Sequence, residues 1–309
     1  MGVMPEKSSV LVIANAAAGS ASDDDVDFVL DALRKRADTE VVIPDGDDAM
    51  VDALRSADGR DVVAMGGDGS LNWVLATCVE HDLFGGLGAI GLVPMGTGND
   101  FARGKGLPLD LTEAVEVALE GEPHQCDLLV DEDGQVVINA VHAGIAARAT
   151  GKAQSMKGAL GIGAYAIGAL KAGMSTNGWE VAVWVDGEEV LDEDQDALMV
   201  TIAVGSSIGG GTSVAPDADP TDRKADVIIA TALGAWDRLS FAADLQKGTH
   251  VERDDVKVVQ GTEITIKSVD PDREFLVDAD GDLGQKYTER TWTLRSDAWV
   301  CRSPSSPDA

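Results

Sequence analysis

Short apolar runs alternate with amphipathic stretches along the first part of the chain. Val10–Ala14 is apolar and ends at Asn15, before a loop of small residues that reaches Ser22. Asp24–Arg36 places Val26, Leu30 and Leu33 at helical spacing and closes on basic residues, which predicts a helix. Glu40–Ile43, Asp61–Met65 and Ala89–Val93 read as further strands, and Asp47–Ser56, Leu71–Glu80 and Thr112–Glu120 as helices. Short apolar strands separated by helices imply a parallel sheet covered on both faces. Ligands in such sheets sit beyond the carboxyl ends of the strands. Two glycine-rich segments fall at such ends.

The texture changes near Gly121–Cys126. Asp127–Val130 and Gln135–Val141 flank an Asp-Glu-Asp-Gly turn, and Trp179–Trp184 and Glu188–Leu191 flank Val185-Asp186-Gly187, a hairpin signal. Ala197–Val204, Ala225–Thr231, Val256–Val259, Glu263–Ile266 and Thr291–Leu294 are further strands. Helices over Met156–Ala172 and Trp236–Lys247 interrupt them. The expected organisation is an α/β domain over 1–124, a β-rich antiparallel sandwich over 125–300 and a frayed Ser/Pro-rich tail over 301–309.

Charge narrows the function. The chain of 309 residues has 54 acids and 24 bases, a net charge of -30. A nucleic-acid partner needs a basic surface, so that class is excluded. Docking to anionic lipid by charge is disfavoured. The acids are spread along the whole chain, as in a surface adapted to molar salt, where screening removes their repulsion. Three cysteines at no metal-ligand spacing fit a reducing cytosol. Four scattered histidines give no zincin-type pair. No signal peptide opens the chain, and Gly158–Leu170, between Lys157 and Lys171, is too short and glycine-rich to span a bilayer. The expected location is the cytoplasm, with peripheral contact to the inner face of the membrane.

The chemistry lies in two loops and one turn. Gly66-Gly67-Asp68-Gly69-Ser70 ends an apolar strand and starts a helix. Consecutive glycines let backbone N–H groups approach an anion, and the helix adds its N-terminal partial charge. Asp68 suits a Mg²⁺ ion or its waters, and Ser70 can donate to a phosphate. The alternative is an ordinary turn with Asp68 as the helix cap, but a cap does not need three glycines. Pro94-Met95-Gly96-Thr97-Gly98-Asn99-Asp100 follows another strand and can form a second nucleotide-facing wall. Alone it reads as a helix start with an Asn or Asp cap. Leu276–Asp282 reads, on spacing alone, as a strand entering a type I′ turn with its carboxylates outward. Gly86-Leu87-Gly88-Ala89-Ile90-Gly91 precedes a strand and so fails as a dinucleotide fingerprint. No Walker A sequence is present. An apolar stripe of Ile162, Tyr165, Ile167 and Leu170 reads as core or as the wall of a lipid channel.

The order of these segments resembles the catalytic domain of the diacylglycerol kinase and sphingosine kinase family, most of all its soluble bacterial and archaeal members. The resemblance rests on Gly66–Ser70 and on Pro94-x-Gly96-Thr97-x-Asn99-Asp100-Phe101-Ala102-Arg103. It continues through Asn139-x-x-x-x-Gly144, Leu160-Gly161-x-x-x-Tyr165, Gly209-Gly210-Gly211 with Ala215-Pro216-x-Ala218, and Asp280-Gly281-Asp282. It implies an N-terminal α/β domain like that of NAD kinases and phosphofructokinases, and a C-terminal β-sandwich. ATP would occupy the interdomain cleft.

The implied activity is an ATP- and Mg²⁺-dependent kinase acting on the hydroxyl of a diacylglycerol-like lipid, for which an ether-linked diradylglycerol fits a halophile. The resemblance makes Asp280 the general base. It assigns nucleotide contacts to Asn15, Gly66, Gly67, Asp68, Gly69, Ser70, Gly96, Thr97, Gly98, Asn99 and Asp282. It puts Asp68, Asp100 and Asp127 in an Asp–water–Mg²⁺ network, and Asp219, Asp222 and the carbonyl of Lys224 at a structural Mg²⁺. A homodimer stays open. This chain departs from the family pattern in several places. Ser70 replaces Thr, Asp282 replaces Glu, Asn15-Ala16-Ala17-Ala18-Gly19 lacks the usual Pro, and Thr221-Asp222-Arg223 replaces Asp-Asp-Gly. The other readings are an NAD kinase or related soluble-substrate kinase on the same loop, and a nucleotide-binding regulator. Asp280 and Gly209–Gly211 count against the first. Asp68, Asn99, Asp100 and Asp280 together count against the second.

Overall fold

A computed structural model describes residues 8–15, 21–144, 179–231 and 234–305. The chain forms two compact units, Met1–Cys126 with Asp297–Ala309, and Asp127–Ser296. The expected helix over 156–172, its apolar stripe, and the matches at Leu160, Gly161 and Tyr165 lie outside the described residues.

In the first unit, β1 (Ser9–Ala14), α1 (Asp23–Arg36), β2 (Asp38–Val42), α2 (Asp47–Arg55), β3 (Asp61–Gly66) and α3 (Asp68–His81) follow one another. Then come β4 (Ile90–Pro94), α4 (Asp100–Gly104) and α5 (Leu111–Glu120). The strands are parallel in the order β2-β1-β3-β4. β1, β3 and β4 are buried almost throughout, as central strands of a doubly covered sheet must be, whereas the edge strand β2 is partly exposed. Helix α1 shows why such local signals are readable. Ser22 and Asp25 form a capping box, three aspartates fill the first turn and Arg34, Lys35 and Arg36 the last, so caps and dipole agree. Its Val29 and Leu33 are buried with Val10, Val12, Val63 and Val93.

β5 (Glu122–Asp131) carries the chain into the second unit. There follow β6 (Val136–Val137), β7 (Ala140–Gly144), β8 (Trp179–Val185), β9 (Glu188–Leu191), β10 (Asp196–Ala197) and β11 (Met199–Ala203). β12 (Ser207–Ile208), β13 (Thr212–Ser213), β14 (Ala225–Ala230) and α6 (Ala235–Lys247) come next. The last strands are β15 (Val256–Gly261), β16 (Glu263–Ser268), β17 (Phe275–Ala279), β18 (Asp282–Tyr287) and β19 (Glu289–Ser303). A six-stranded antiparallel layer has the order β15-β14-β11-β7-β17-β18, and a second layer pairs β10, β8, β16 and β19. Val141, Ile202, Val227 and Val277 from the first layer meet Val183, Ile264, Ile266 and Trp292 from the second in one core. The predicted hairpin stands: Asp186 and Gly187 have positive φ between β8 and β9, and Asp186 accepts N–H bonds from Thr262 and Glu263.

The C-terminal expectation needs correcting. Residues 301–303 are strand, not tail, and the chain rejoins the first unit from Asp297 onward. Cys301 pairs with Ile90 of β4, and Arg302 bonds Asp61 Oδ2 at 2.7 Å and the Gly121 carbonyl at 2.8 Å. These partners lie far back in the chain and leave no local signal. Among the described residues, no helix is long and apolar enough to cross a membrane.

Candidate functional site

In the first unit, β1, β3 and β4 are neighbours, so the segments leaving their carboxyl ends lie side by side. Asn15 N–H donates to the Met65 carbonyl at 3.3 Å, and Met95 N–H to the Gly66 carbonyl at 2.9 Å. Asn15 Nδ2 donates to Ser70 Oγ at 3.0 Å. The two glycine loops touch through their backbones. A Cβ on Gly67 would lie 2.8 Å from Gly96 Cα, and one on Gly96 would lie 2.6 Å from Gly67 Cα. Gly69 differs: it is exposed, and a Cβ there meets no atom within 4 Å. Packing gives no reason for glycine at that position, whereas close approach of a ligand to the backbone does.

Asp68 and Asn99 both brace the loops. Asp68 is the first residue of α3, whose cap position Gly67 holds. Its Oδ2 accepts from Asp100 N–H and its Oδ1 from Phe101 N–H, both at 2.9 Å, so it holds the start of α4 from the other loop. Asn99 occupies the cap position of α4 in the left-handed region, at φ 50°, and makes no side-chain cap bond there. Its Oδ1 instead accepts from Gly96 N–H at 2.9 Å and its Nδ2 donates to the Gly96 carbonyl at 2.8 Å, closing the loop on itself. Thr97 is exposed, Asp100 is buried, and Arg103 Nε donates to the Gly98 carbonyl at 3.0 Å.

In the second unit, Asp280 and Gly281 form the two-residue turn between β17 and β18, with φ of 50° and 88°. The I′-type turn is as read, but the Asp280 carboxylate does not point to solvent. Its Oδ2 accepts from Ile138 N–H at 2.8 Å, and its Oδ1 from Asn139 N–H at 2.9 Å and Ala140 N–H at 3.1 Å. Asp280 N–H donates to the Ala140 carbonyl. The turn is braced from behind, since Asp278 Oδ1 accepts from Gly281 N–H at 3.0 Å. Asp282 is exposed and opens β18.

Sequence reasoning missed the row beside this turn. Thr201, His142 and Asp278 are in register on β11, β7 and β17, so they share one face of the sheet, and all three are buried. His142 Nδ1 and Thr201 Oγ1 are 2.9 Å apart, while Nε2 has no partner. Burial pushes the His142 imidazole down to about 4, so it is neutral at pH 7. A single histidine inside the apolar run Ala140–Ala143 was the available signal.

Asp127 is buried and faces the 219–224 loop. Its N–H donates to the Pro220 carbonyl at 2.7 Å and its Oδ2 accepts from Arg223 N–H at 2.8 Å. In that loop Asp219 Oδ1 accepts from Thr221 N–H and Oγ1, and Asp222 Oδ1 accepts from Lys224 N–H. Nearby Asp226 is 4% exposed, with Oδ2 unpartnered and Oδ1 taking a 3.3 Å bond from Gln260. Burial raises its carboxyl above the usual range against that bond, and the charges of Asp222 and Asp217 raise it further. Among the described residues, no cluster of three or more His, Cys, Asp or Glu side chains is arranged to hold a metal. Gly209, Gly210 and Gly211 all have positive φ and turn β12 into β13.

Comparison with known proteins bears on both units. The family described as "Diacylglycerol kinase catalytic domain" matches residues 9–130, and "YegS C-terminal NAD kinase beta sandwich-like domain" matches 139–291. The chain is 30% identical over 168 residues to "Probable lipid kinase YegS-like" of Enterobacter sp. (strain 638), covering 54% of each chain. It is 33% identical over 155 residues to the protein of the same name from Klebsiella pneumoniae (strain 342), covering 48% of this chain and 49% of the relative. The chain thus spans about half the length of the curated relatives it matches. A crystal structure of a diacylglycerol kinase from Bacillus anthracis superposes with a TM-score of 0.74 at 20% identity, covering 97% of both chains, and shows the shared fold. With a catalytic-domain match on one side and a YegS-type β-sandwich match on the other, the chain belongs to the diacylglycerol kinase family in its YegS-like form.

Proposed function

We propose that this protein is an ATP- and Mg²⁺-dependent kinase that phosphorylates the hydroxyl of a diacylglycerol-like lipid. The observation that carries the reading is Asp280, a carboxylate set at a tight turn and fixed by three backbone N–H groups. The relatives' names, which describe lipid kinases, agree with it. In the proposed reaction the acceptor oxygen bonds to the γ-phosphorus, the bond from that phosphorus to the ADP oxygen breaks, and Asp280 takes the hydroxyl proton.

The first-unit loops supply positioning. Backbone N–H groups around Gly67, Gly69 and Gly96 would line the phosphates, with Asp68 and Asn99 holding the loop shape. Ser70 Oγ accepts from Asn15, which leaves its hydrogen to donate to a phosphate oxygen. Asp282 is a further proposed nucleotide contact. Mg²⁺, when bound, would neutralise charge on the transferring phosphoryl group. Asp100 would reach that ion through water, and Asp68 and Asp127 would serve it indirectly by holding their loops. The oxygen donors of Asp219, Asp222 and the Lys224 carbonyl suit a hard cation.

Phosphate transfer from labelled ATP to diradylglycerols in mixed micelles tests this, with NAD⁺ and a no-acceptor control alongside. Label in the organic phase, lost in Asp280→Asn with ATP binding retained, is the expected result. Label on NAD⁺ alone would overturn it. Ester- and ether-linked acceptors run in parallel identify the lipid class.

A further inference from the structure

Helix α6 turns an apolar edge to solvent. Trp236 is 83% exposed, Leu239 one turn on is 38% exposed, and Ala243 a turn further is exposed too. The opposite side of the helix is core: Phe241, Ala242 and Leu245 pack with Ala140, Met199 and Ile228 of the six-stranded layer. Val258 on the edge strand β15 is in register with Ile228 and is 43% exposed. In a chain of net charge -30, this helix is balanced, with Asp237 and Asp244 against Arg238 and Lys247.

We propose that α6 docks on a lipid surface through Trp236 and Leu239. The inference rests on the lipid-kinase reading and names the surface by which the enzyme would reach its substrate. Three exposed side chains present roughly 300 Å² of apolar area. A stable protein interface needs about 800 Å² on each partner, so a second copy or another protein is poorly served. A bilayer interface needs no matching surface, and the amphipathic indole suits the headgroup boundary. The helix is tied to the proposed chemistry, because Ala140 in its packing cluster both donates to and accepts from Asp280. The chain's negative charge opposes anionic lipid, so attachment is apolar and favours neutral vesicles at low salt.

The test compares the full-length protein with Trp236→Ser, both checked for an unchanged melting temperature. Sedimentation with phosphatidylcholine vesicles, and quenching of tryptophan by brominated acyl chains, should both fall about tenfold in the variant. On a short-chain acceptor dispersed as monomers the two proteins should turn over alike. On vesicle-borne acceptor the variant's apparent KM should rise with kcat kept. Equal vesicle binding by both proteins would overturn the proposal. So would sedimentation equilibrium showing a wild-type dimer that Trp236→Ser dissociates, which would assign the patch to a second copy. Failure to phosphorylate any lipid would instead sink the kinase reading, and vesicle binding would report separately.

Discussion

Gly67 and Gly69 are two positions apart, yet they should respond oppositely to an added methyl group. A Cβ on Gly67 would press on the backbone of Gly96, whereas one on Gly69 meets open space. Gly69→Ala should therefore hold or raise the melting temperature, since the position is helical, and weaken ATP binding by about tenfold or more, read by calorimetric titration. Gly67→Ala should lower stability before any ligand is added. Unchanged ATP affinity in Gly69→Ala would remove the phosphate cradle from that loop. His142 carries a second residue-scale prediction. Its folded pKa is about 4 and its unfolded one near 6.5, so between these values the unfolded chain binds more protons. The contribution is complete above pH 6.5 and is lost as pH falls through the window, by roughly 3 kcal/mol. Urea titrations of wild type and His142→Gln from pH 7 to pH 4 should show their difference in stability shrink by that order. A constant difference would mean that the imidazole is not held neutral.

At the scale of elements, loops are braced by residues of other loops. Removing the Asp68 carboxylate strands two N–H groups of α4, so Asp68→Ala should cost about 1–3 kcal/mol. Asp68→Asn keeps one acceptor oxygen and should recover part of it, as urea midpoints would show. The 219–224 loop makes the complementary case. Burial and its acidic neighbours hold the Asp226 carboxyl above the usual range, so Asp226→Asn should raise the melting temperature at neutral pH without Mg²⁺, and the gain should vanish in acid as the wild-type carboxyl protonates in both folded and unfolded chains. Mg²⁺ should stabilise wild type but not Asp219→Asn with Asp222→Asn. No shift with Mg²⁺ would leave that loop a plain turn. These braces also show what the sequence could reveal. The helices and parallel strands of the first unit were legible because caps and apolar periodicity act over a few residues. The Asp68 bonds reach 32 and 33 residues along the chain, and those of Asp280 reach about 140 residues back, so neither side-chain direction could be read locally. For Asp280 the backbone turn was readable and the fate of its carboxylate was not. Strand β19 was half-read for a related reason, since its last residues belong to the first unit and find Ile90 and Asp61 there, some 200 residues back in the chain.

For the whole molecule the governing quantity is the charge of -30. Described ion pairs are few beside 54 acids, and several, such as Arg36 with Glu116 and Lys267 with Glu289, are exposed and contribute little. Arg290 is the contrast: it is buried on Asp131 at 2.6 Å, where salt penetrates poorly. Most of the charge therefore acts as repulsion across a solvated surface, and that repulsion opposes compaction in dilute buffer. Potassium chloride screens it over a few ångströms at molar concentration. Stability should then climb steeply with the first additions of KCl and continue into the molar range. Each ~1 kcal/mol of relieved repulsion should move the melting temperature by about 2–4 °C for units of this size. Replacing a set of exposed aspartates by asparagine should raise the melting temperature at low salt and flatten its rise with KCl, because the repulsion being screened has been removed. Scanning calorimetry of both proteins across KCl checks this. A melting temperature that is flat or falls with salt, or a variant that rises as steeply as wild type, would mean that the dispersed carboxylates do not set the stability of this chain.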